Sequence, residues 1–251
     1  MASSLYEIGI IGYGDFTRVL CEYLAPYADI LISSRGDLEG EAIFGAQFGS
    51  IEDVLSRQII IPSIPAQFFK DFFMEHAKLV NPNALIVDVA SVKVAPIQVL
   101  NELLPSTCRI IGTHPMFGPA SIAKNGGISG LKCAVCPVRV DDEAYERFVA
   151  FLSDVLGLRI FNKTPEEHDR EMAYVQGLSH YIGRVMDEMN IPVSELSTLA
   201  YDDLIDMKRI QGSDSWDLFR SIMHENPYAL EVNRAFESAC RRVNDRLRSG
   251  S

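Results

Sequence analysis

The sequence has no long apolar run, no block of basic residues and little cysteine. No apolar stretch reaches about 18 residues, so no transmembrane helix is expected. The first residues lack a basic segment followed by an apolar one, which predicts a cytoplasmic protein without a presequence. With a net charge of −11 and no Lys/Arg-rich stretch, a nucleic-acid partner is not expected. An anionic ligand must therefore be bound by local cations set against the general field.

The cysteines are too few and too scattered to indicate a disulfide framework. Cys133 and Cys136 form a C-x-x-C pair, which could indicate a zinc or redox site. However, Leu131–Val138 is predicted to be a strand, and residues three apart on a strand point to opposite faces. This alternation favours two separate thiols and predicts that no metal is bound.

Strand and helix signals alternate in the first part of the chain, the pattern of a parallel sheet covered by helices. After the strand Leu158–Phe161 the strand signals stop and only helices are predicted. We therefore predict an α/β chain with two domains. Residues 1–162 form a Rossmann-like dinucleotide-binding domain, and residues 163–251 form a small helical domain for substrate binding and dimerisation.

The helical domain is predicted to begin with a long helix, from the capping box at Thr164 to about Met189. Apolar residues recur along it at helical spacing and predict a core-facing stripe. Its members are Met172, Val175, Leu178, Ile182, Val185 and Met189. A second apolar series resembles a coiled-coil seam. It comprises Phe236, Cys240, Val243 and Leu247. Because so small a domain often completes its core from a second subunit, a homodimer is expected.

A glycine-containing turn directly follows the first predicted strand and opens a helix. In Gly12-Tyr13-Gly14-Asp15-Phe16-Thr17 the two glycines allow a sharp turn and close approach to a pyrophosphate. The helix N-terminus offers free N–H groups to the same anion. We predict dinucleotide binding by Gly12, Gly14, Asp15 and Phe16, the alternative being a plain strand–helix turn. Thr17 stands where the G-x-G-x-x-G pattern has its third glycine.

The end of the second strand indicates which cofactor is bound. An NAD site usually has Asp or Glu there for the ribose 2′-hydroxyl. This sequence instead has Ser33, Ser34 and Arg35, which suit a 2′-phosphate because Arg forms paired bonds to phosphate oxygens. NADP is therefore predicted, with NAD less favoured, unless Arg35 is an exposed loop charge. Ser63, in the turn after the next strand, is predicted to wall the cofactor, although an ordinary turn is nearly as plausible.

Two further segments lie where the strands of an open α/β sheet place their ligands, outside the carboxyl ends. Asp88–Lys93 ends one predicted strand and begins a helix, and Gly112–Pro119 follows the next strand as a predicted loop. A single histidine is more often structural than catalytic. His114 stands in this glycine- and proline-bounded segment, which favours a functional role.

With these segments, the sequence resembles the prephenate/arogenate dehydrogenase family. The resemblance rests on Gly12–Gly14, Asp88–Lys93 and Gly112–Pro119, and later on Glu167–Asp169, Gln176–His180, Asp206, Arg209-Ile210 and Ser213-Asp214. It implies oxidation of a 4-hydroxycyclohexadiene carboxylate, with hydride transfer to nicotinamide and loss of CO₂. Such chemistry needs a base at the hydroxyl, and His114 is the candidate because a neutral imidazole suits pH 7. Ser91 would orient His114 or bind the same oxygen, and Thr113 would contact the substrate.

The resemblance also gives His180 and Arg209 substrate-binding roles in the helical domain. His180 lies four residues from both Gln176 and Arg184, on a face predicted to avoid the apolar stripe and to look into a cleft. The alternatives are a solvated polar face for His180 and a surface charge for Arg209.

Other functions remain open on the sequence alone. A two-domain dehydrogenase of β-hydroxyacid or imine type would need a lysine in the helical domain, and Gly112–Pro119 argues against it. A non-catalytic NADP-binding sensor would keep Gly12, Gly14 and Arg35 but would not need the remaining site residues. The sequence does not choose between prephenate and arogenate, which differ by a keto or amino group.

Overall fold

A computed structural model of the chain describes residues 6–36, 42–212 and 215–249. The chain divides into two compact units, residues 1–166 and 167–251. Among the described residues, none of the helices combines the length and apolar character needed to span a membrane.

The described residues of the first unit form a nine-stranded sheet in the order β3-β4-β2-β1-β5-β6-β7-β8-β9. The strands are β1 (Tyr6–Ile11), β2 (Ala28–Ser33), β3 (Ala42–Ile43), β4 (Ala46–Phe48), β5 (Ile59–Pro62), β6 (Leu85–Asp88), β7 (Arg109–Pro115), β8 (Lys132–Arg139) and β9 (Arg159–Asn162). In this order, neighbouring strands from β4 to β7 are parallel. Strand β3 is antiparallel to β4, and β8 is antiparallel to β7. The predicted α/β class with a Rossmann-type sheet is confirmed.

Helices cover both faces of this sheet. They are α1 (Asp15–Leu24), α2 (Ile51–Leu55), α3 (Phe69–His76), α4 (Val94–Leu103), α5 (Pro119–Asn125) and α6 (Asp142–Ala150). On the face of α3 and α4, one continuous core packs Phe69 and Leu100 against strand residues such as Ile60. On the face of α1 and α6 the core forms two clusters, one around Cys21 and one around Cys133.

The segment that carries His114 is a strand, and the prediction of a loop from Gly112 to Pro119 is wrong over its first half. β7 continues to Pro115, and His114 pairs with Ala134 of β8. The antiparallel β8, which is the next strand along the chain, supplies the hydrogen-bonding partners that extend the strand. The irregular part begins at Met116, and α5 follows at Pro119.

The second unit is helical among its described residues. Its helices are α7 (Pro165–Met172), which begins two residues before the division, α8 (Ser179–Glu188), α9 (Leu199–Gly212), α10 (Trp216–His224) and α11 (Ala229–Ser249). A π-helical segment, Ala173–Leu178, joins α7 to α8. Such a segment adds a residue to the turn and shifts the faces of the helix on either side of it.

This shift overturns the predicted burial of the long helix. Met172 is buried, but Val175, Val185 and Met189 of the predicted core stripe are exposed. His180 and Arg184, expected on a face directed into a cleft, are buried. Half of the predicted apolar stripe is therefore exposed, whereas two polar residues of the same helical segment are buried.

Gly9 offers a test of how tightly β1 packs against α2. A Cβ atom at Gly9 would lie 2.2 Å from the Val54 carbonyl oxygen, a backbone atom that cannot move alone. We expect Gly9→Ala to lower the free energy of unfolding by about 1–3 kcal/mol or more through overpacking. Urea denaturation measures this change.

Gly118→Ala is the matched control, because a Cβ there meets no atom within 4 Å. It should lower the free energy of unfolding by only about 1 kcal/mol, the effect of placing Ala at a helix N-cap. Equal stabilities for the two variants would contradict this account of the β1–α2 contact.

Candidate active site

The glycine turn after β1 is held between the ends of two neighbouring strands. Gly12 N donates to the Ser33 carbonyl at the end of β2, and Ser63 N, after β5, donates to the Ile11 carbonyl, both at 2.8 Å. Gly12 has φ +96°, and a Cβ there would lie 2.7 Å from the Ser63 carbonyl oxygen. Only glycine meets both conditions without strain.

Thr17, in place of the third glycine, ties this turn together. It is fully buried, and its hydroxyl donates to the Gly12 carbonyl at 3.0 Å. Its Oγ1 also lies 3.0 Å from the Ser63 hydroxyl. The departure from the usual pattern therefore replaces close helix–strand packing by hydrogen bonds. Thr17 also bonds to the Ser63 hydroxyl, so Ser63, which was predicted to line the cofactor site, is held to the turn itself.

The surface of the turn fits a bound pyrophosphate. Gly14 is exposed, and a Cβ built on it meets no atom within 4 Å, so a ligand can approach the backbone closely. Asp15 begins α1, and no side chain caps this helix start. The exposed Asp15 and the partly buried Phe16 stand at the mouth of the turn.

The end of β2 adjoins the turn, as the hydrogen bond between Gly12 and Ser33 requires. Ser33 and Ser34 are half-buried, and the Ser34 hydroxyl accepts from Gly36 N at 3.4 Å. Arg35 is exposed. The polar group predicted to bind a 2′-phosphate therefore lies beside the glycine turn with its cation accessible to solvent.

A buried ion pair joins the carboxyl ends of β6 and β7. Lys93 and Asp88 are both fully buried, and the Lys93 ammonium donates to the Asp88 carboxylate. The ammonium also donates to the Thr113 carbonyl at 2.7 Å. The other Asp88 oxygen accepts from Ala90 N at 2.8 Å, and the Thr113 hydroxyl donates to the Asp88 carbonyl at 2.9 Å.

This network places the predicted catalytic residues. Ser91 follows Ala90, whose backbone binds Asp88, and His114 follows Thr113, whose carbonyl binds Lys93. His114 is buried and Ser91 is half-buried. The Thr113 side chain, predicted to contact substrate, is buried and bonded to Asp88.

The two cysteines of the C-x-x-C pair lie on β8 and face opposite sides of the sheet. Cys133 packs in the cluster on the α6 side, whereas the Cβ of Cys136 faces Gly112 and, like Lys93, lies on the α4 side. Burial raises the pKa of Cys133 to about 12, so this thiol is protonated at neutral pH. The described residues contain no cluster of three or more His, Cys, Asp or Glu able to hold a metal ion.

In the helical unit, His180 and Arg184 lie one turn apart on α8 and are both buried. The Arg184 guanidinium stacks over Trp216 at 4.8 Å and over Phe219 at 5.6 Å. Burial, assisted by the Arg184 charge, lowers the pKa of His180 to about 4. His180 is therefore neutral at pH 7 and can act in hydrogen bonding but not as a cation.

Arg209 lies near the end of α9 and is largely exposed. Its Nη2 is 3.0 Å from Asp206 Oδ1, one turn earlier, and both side chains are more than half exposed. An exposed pair of this kind is weak and can be exchanged for another anion at small cost. Arg209 is thus available as a cation.

Sequence reasoning did not identify two of these groups. Lys93 lies in a segment that carries the family resemblance, but it was not singled out. Its position before a helix, after an acidic residue that ends a strand, could have suggested an ion pair. Arg184 was noted only for its spacing from His180, because nothing local indicates that Trp216 and Phe219 cover it.

Comparisons with known proteins point to one family. A model described as the nucleotide-binding domain of prephenate dehydrogenase matches residues 36–157, and one described as its dimerization domain matches residues 164–251. The first match begins after the glycine turn. Among curated relatives, arogenate dehydrogenase 2 (chloroplastic) of Arabidopsis thaliana is 30% identical, over 98% of this chain and 72% of the relative.

More distant relatives agree. A probable arogenate/prephenate dehydrogenase of Methanocaldococcus jannaschii is 26% identical, over 98% of this chain and 57% of its own length. Two solved structures share the fold. A prephenate dehydrogenase of A. aeolicus in complex with hydroxyphenyl propionate and NAD+ has a TM-score of 0.72 at 19% identity, over 98% of this chain and 92% of that one. Synechocystis arogenate dehydrogenase has a TM-score of 0.71 at 18% identity, over 97% and 92%.

Removing one member of the buried ion pair should be costly. Lys93→Met leaves the Asp88 carboxylate buried without its cation, and we expect a loss of about 3–5 kcal/mol in the free energy of unfolding. The double variant Asp88→Asn/Lys93→Met removes both charges and should recover much of that loss. Urea denaturation of the single and double variants checks this, and equal losses in both would contradict it.

Proposed function

The chain belongs to the prephenate dehydrogenase family, and on this premise we propose that it catalyses the NADP-dependent oxidative decarboxylation of arogenate or prephenate. The observation that carries the proposal is the position of His114, buried on β7 beside the Asp88–Lys93 pair at the carboxyl ends of the parallel strands. Ligands of open α/β sheets bind at this edge.

The proposed reaction balances without a further co-reactant. Hydride leaves the hydroxyl-bearing ring carbon, the hydroxyl proton leaves the oxygen, and a carbonyl forms. The bond from the ring to its carboxylate then breaks, CO₂ departs, and its electron pair completes the aromatic ring. The former carbonyl oxygen becomes a phenol oxygen and takes back a proton. NADP, when bound, supplies the hydride acceptor.

His114 is proposed to hold the proton between these two steps. A neutral imidazole accepts the hydroxyl proton as hydride leaves and returns it to the phenolate oxygen. Burial of His114 excludes water from this exchange. Ser91 is proposed to hydrogen-bond either the imidazole or the same oxygen, from a backbone position that Ala90 N and Asp88 fix.

The helical unit is proposed to supply the groups that bind the substrate's carboxylate side. Arg209 provides the charge, because it is accessible and held only by an exposed pair with Asp206. His180, neutral through its lowered pKa, provides a hydrogen bond. In the first unit, Thr113 of β7 is also proposed to contact the substrate, and its hydroxyl donates to the Asp88 carbonyl.

A steady-state assay tests the proposal directly. Purified protein is assayed with prephenate and with arogenate, each with NADP and with NAD, by nicotinamide absorbance and CO₂ release. Activity on one ring substrate with CO₂ release supports the proposal. A β-hydroxyacid or imine dehydrogenase would turn over neither ring substrate, and an NADP-binding sensor would bind the cofactor without turnover. Either result would overturn it.

His114→Ala should lower kcat about 10²–10⁴-fold, the usual contribution of a positioned general base, while NADP affinity stays unchanged. The matched control is His224→Ala, because His224 is exposed at the end of α10. Calorimetric titration with NADP and steady-state kinetics separate the two properties. Near-normal turnover in His114→Ala would remove this residue from the mechanism.

Arg35→Ala should raise KM for NADP strongly and leave KM for NAD nearly unchanged. The reason is that Arg binds the 2′-phosphate with paired, charge-assisted bonds, and NAD has no such group. Arg18→Ala is the control, since Arg18 is also exposed but lies on α1 with its guanidinium over Tyr13. If the variant keeps the full NADP preference, or the wild type uses both cofactors equally, the assignment of Arg35 is wrong.

We also propose that the helical unit forms a homodimer. Its exposed apolar residues include Val185, Met189, Val243 and Leu247. Large exposed apolar patches mark interaction sites, and the region matches a dimerization-domain model. Light scattering should give twice the mass of one chain, and Val243→Glu/Leu247→Glu should shift the protein toward monomer. Met74→Glu, at an equally exposed position of α3, should remain dimeric. A monomeric wild type would contradict the proposal.

A further inference from the structure

A cavity of about 300 Å³ lies within the first unit, between α1, α6 and the middle of the sheet. Its floor is formed by β5, β6 and β7, through residues such as Ile61 and Val87. It separates the two core clusters on this face, whereas the core on the opposite face is continuous. Of the residues proposed to bind NADP, Phe16 contributes to its wall, whereas Gly12, Gly14 and the β2 end do not.

Aromatic pairs bridge the cavity from α1 to its far side. Near the carboxyl edge of the sheet, Phe16 packs against Phe117 with ring centroids 6.3 Å apart. Near the opposite edge, Tyr27 meets Phe151 edge-to-face at 5.4 Å. Tyr23 also lines the space between these pairs. Aromatic side chains favour edge-to-face and tilted contacts, and a ligand ring placed between them would make the same contacts.

The lining is mostly apolar, which determines what can fill the cavity. A water molecule needs several polar partners, and apolar cavities of about 150 Å³ stay dry and bind benzene. A cavity of about 300 Å³ therefore has room for one ring with a short side chain. This volume is at the lower end of the range for small-molecule sites.

Two arginines line the cavity at one edge. Arg109 begins β7 at its amino end, and Arg147 lies on α6, where it pairs with Glu143. The acidic neighbour Asp141 has a lowered pKa, chiefly because its carboxylate accepts from Ala144 N and in part because of these two cations. Both cations have carboxylate neighbours. The Arg147–Glu143 pair is exposed and therefore weak, so the carboxylate of a ligand can replace Glu143 at small cost.

We propose that this cavity is a binding site for an arylalkyl carboxylate, with the ring between α1 and α6 and the carboxylate at Arg109 and Arg147. Phe16 is shared with the proposed NADP site, and the remaining cofactor residues lie outside the cavity wall. Thr113 and Pro115, which flank His114 on β7, line the cavity. A bound ligand would therefore contact the strand that carries His114. The proposal does not depend on the catalytic assignment, because its test measures binding and not turnover.

The probe is 3-phenylpropionate, titrated by calorimetry into the full chain, with 3-phenylpropanol and hexanoate as comparisons. The carboxylate with a ring should bind more tightly than the alcohol, which lacks the charge, and than hexanoate, which lacks the ring. Equal binding of either comparison would overturn the proposed ligand class. No binding of the probe would overturn the site.

Variants then locate the probe. Ala144→Phe should fill the cavity and weaken binding by about tenfold or more, and Arg109→Gln should weaken it about five- to tenfold by removing a charged partner. Arg209→Ala, in the proposed substrate site, should leave the affinity unchanged. Loss of binding in Arg209→Ala alone would place the probe in the substrate site and overturn the inference. Arg109→Gln keeps the test valid if Ala144→Phe does not fold.

Crystals soaked with 3-(4-iodophenyl)propionate give a direct answer. Anomalous scattering from iodine between α1 and α6 would support the site. Iodine found only elsewhere in the molecule would overturn it, whatever the outcome of the assays for the proposed enzyme.

Discussion

The buried ion pair between Asp88 and Lys93 is the constraint on which the proposed active site depends. A charge without water must be compensated, so Lys93 has to reach both the Asp88 carboxylate and the Thr113 carbonyl. These contacts join the end of β6, the start of α4 and the end of β7 at one point. Buried ion pairs add little net stability compared with apolar packing. The value of this pair is therefore geometric, since it fixes the backbone that carries Ser91 and His114.

The glycine turn achieves the same result with neutral groups. Thr17 bonds to Gly12 and meets Ser63, so the turn is held to β5 as firmly as a third glycine would allow by close packing. The turn then presents Gly14 and the start of α1 to solvent. The Asp88–Lys93 ion pair holds two strand ends together, whereas hydroxyl groups hold the glycine turn and leave its backbone accessible. Both arrangements lie at the carboxyl edge of the sheet.

Local sequence patterns predicted the elements that local physics determines. The first strand, the strand before Ser63 and the helix that the glycine turn opens follow from apolar runs and turn signals, and the structure has them at Tyr6–Ile11, Ile59–Pro62 and Asp15–Leu24. The extension of β7 through His114 was missed because it depends on antiparallel pairing with β8. That strand was predicted as Leu131–Val138, but its pairing partner was not. The short strands β3 and β4 and the helix α2 were not predicted, because each is too short to show a periodic pattern. Residues of the site could be named individually, but the ion pair that organises them could not.

Periodicity identifies which residues share a face of a helix, but it does not say which face is buried. In the helical unit Arg184 is buried, because Trp216 and Phe219 supply an aromatic environment that accepts its guanidinium. The apolar residues Val185 and Met189 are left outside. A single chain gains nothing from that arrangement, since apolar surface in water is unfavourable. It becomes favourable if a second copy covers the surface, so the burial of a polar face and the proposed dimer are two consequences of the same packing.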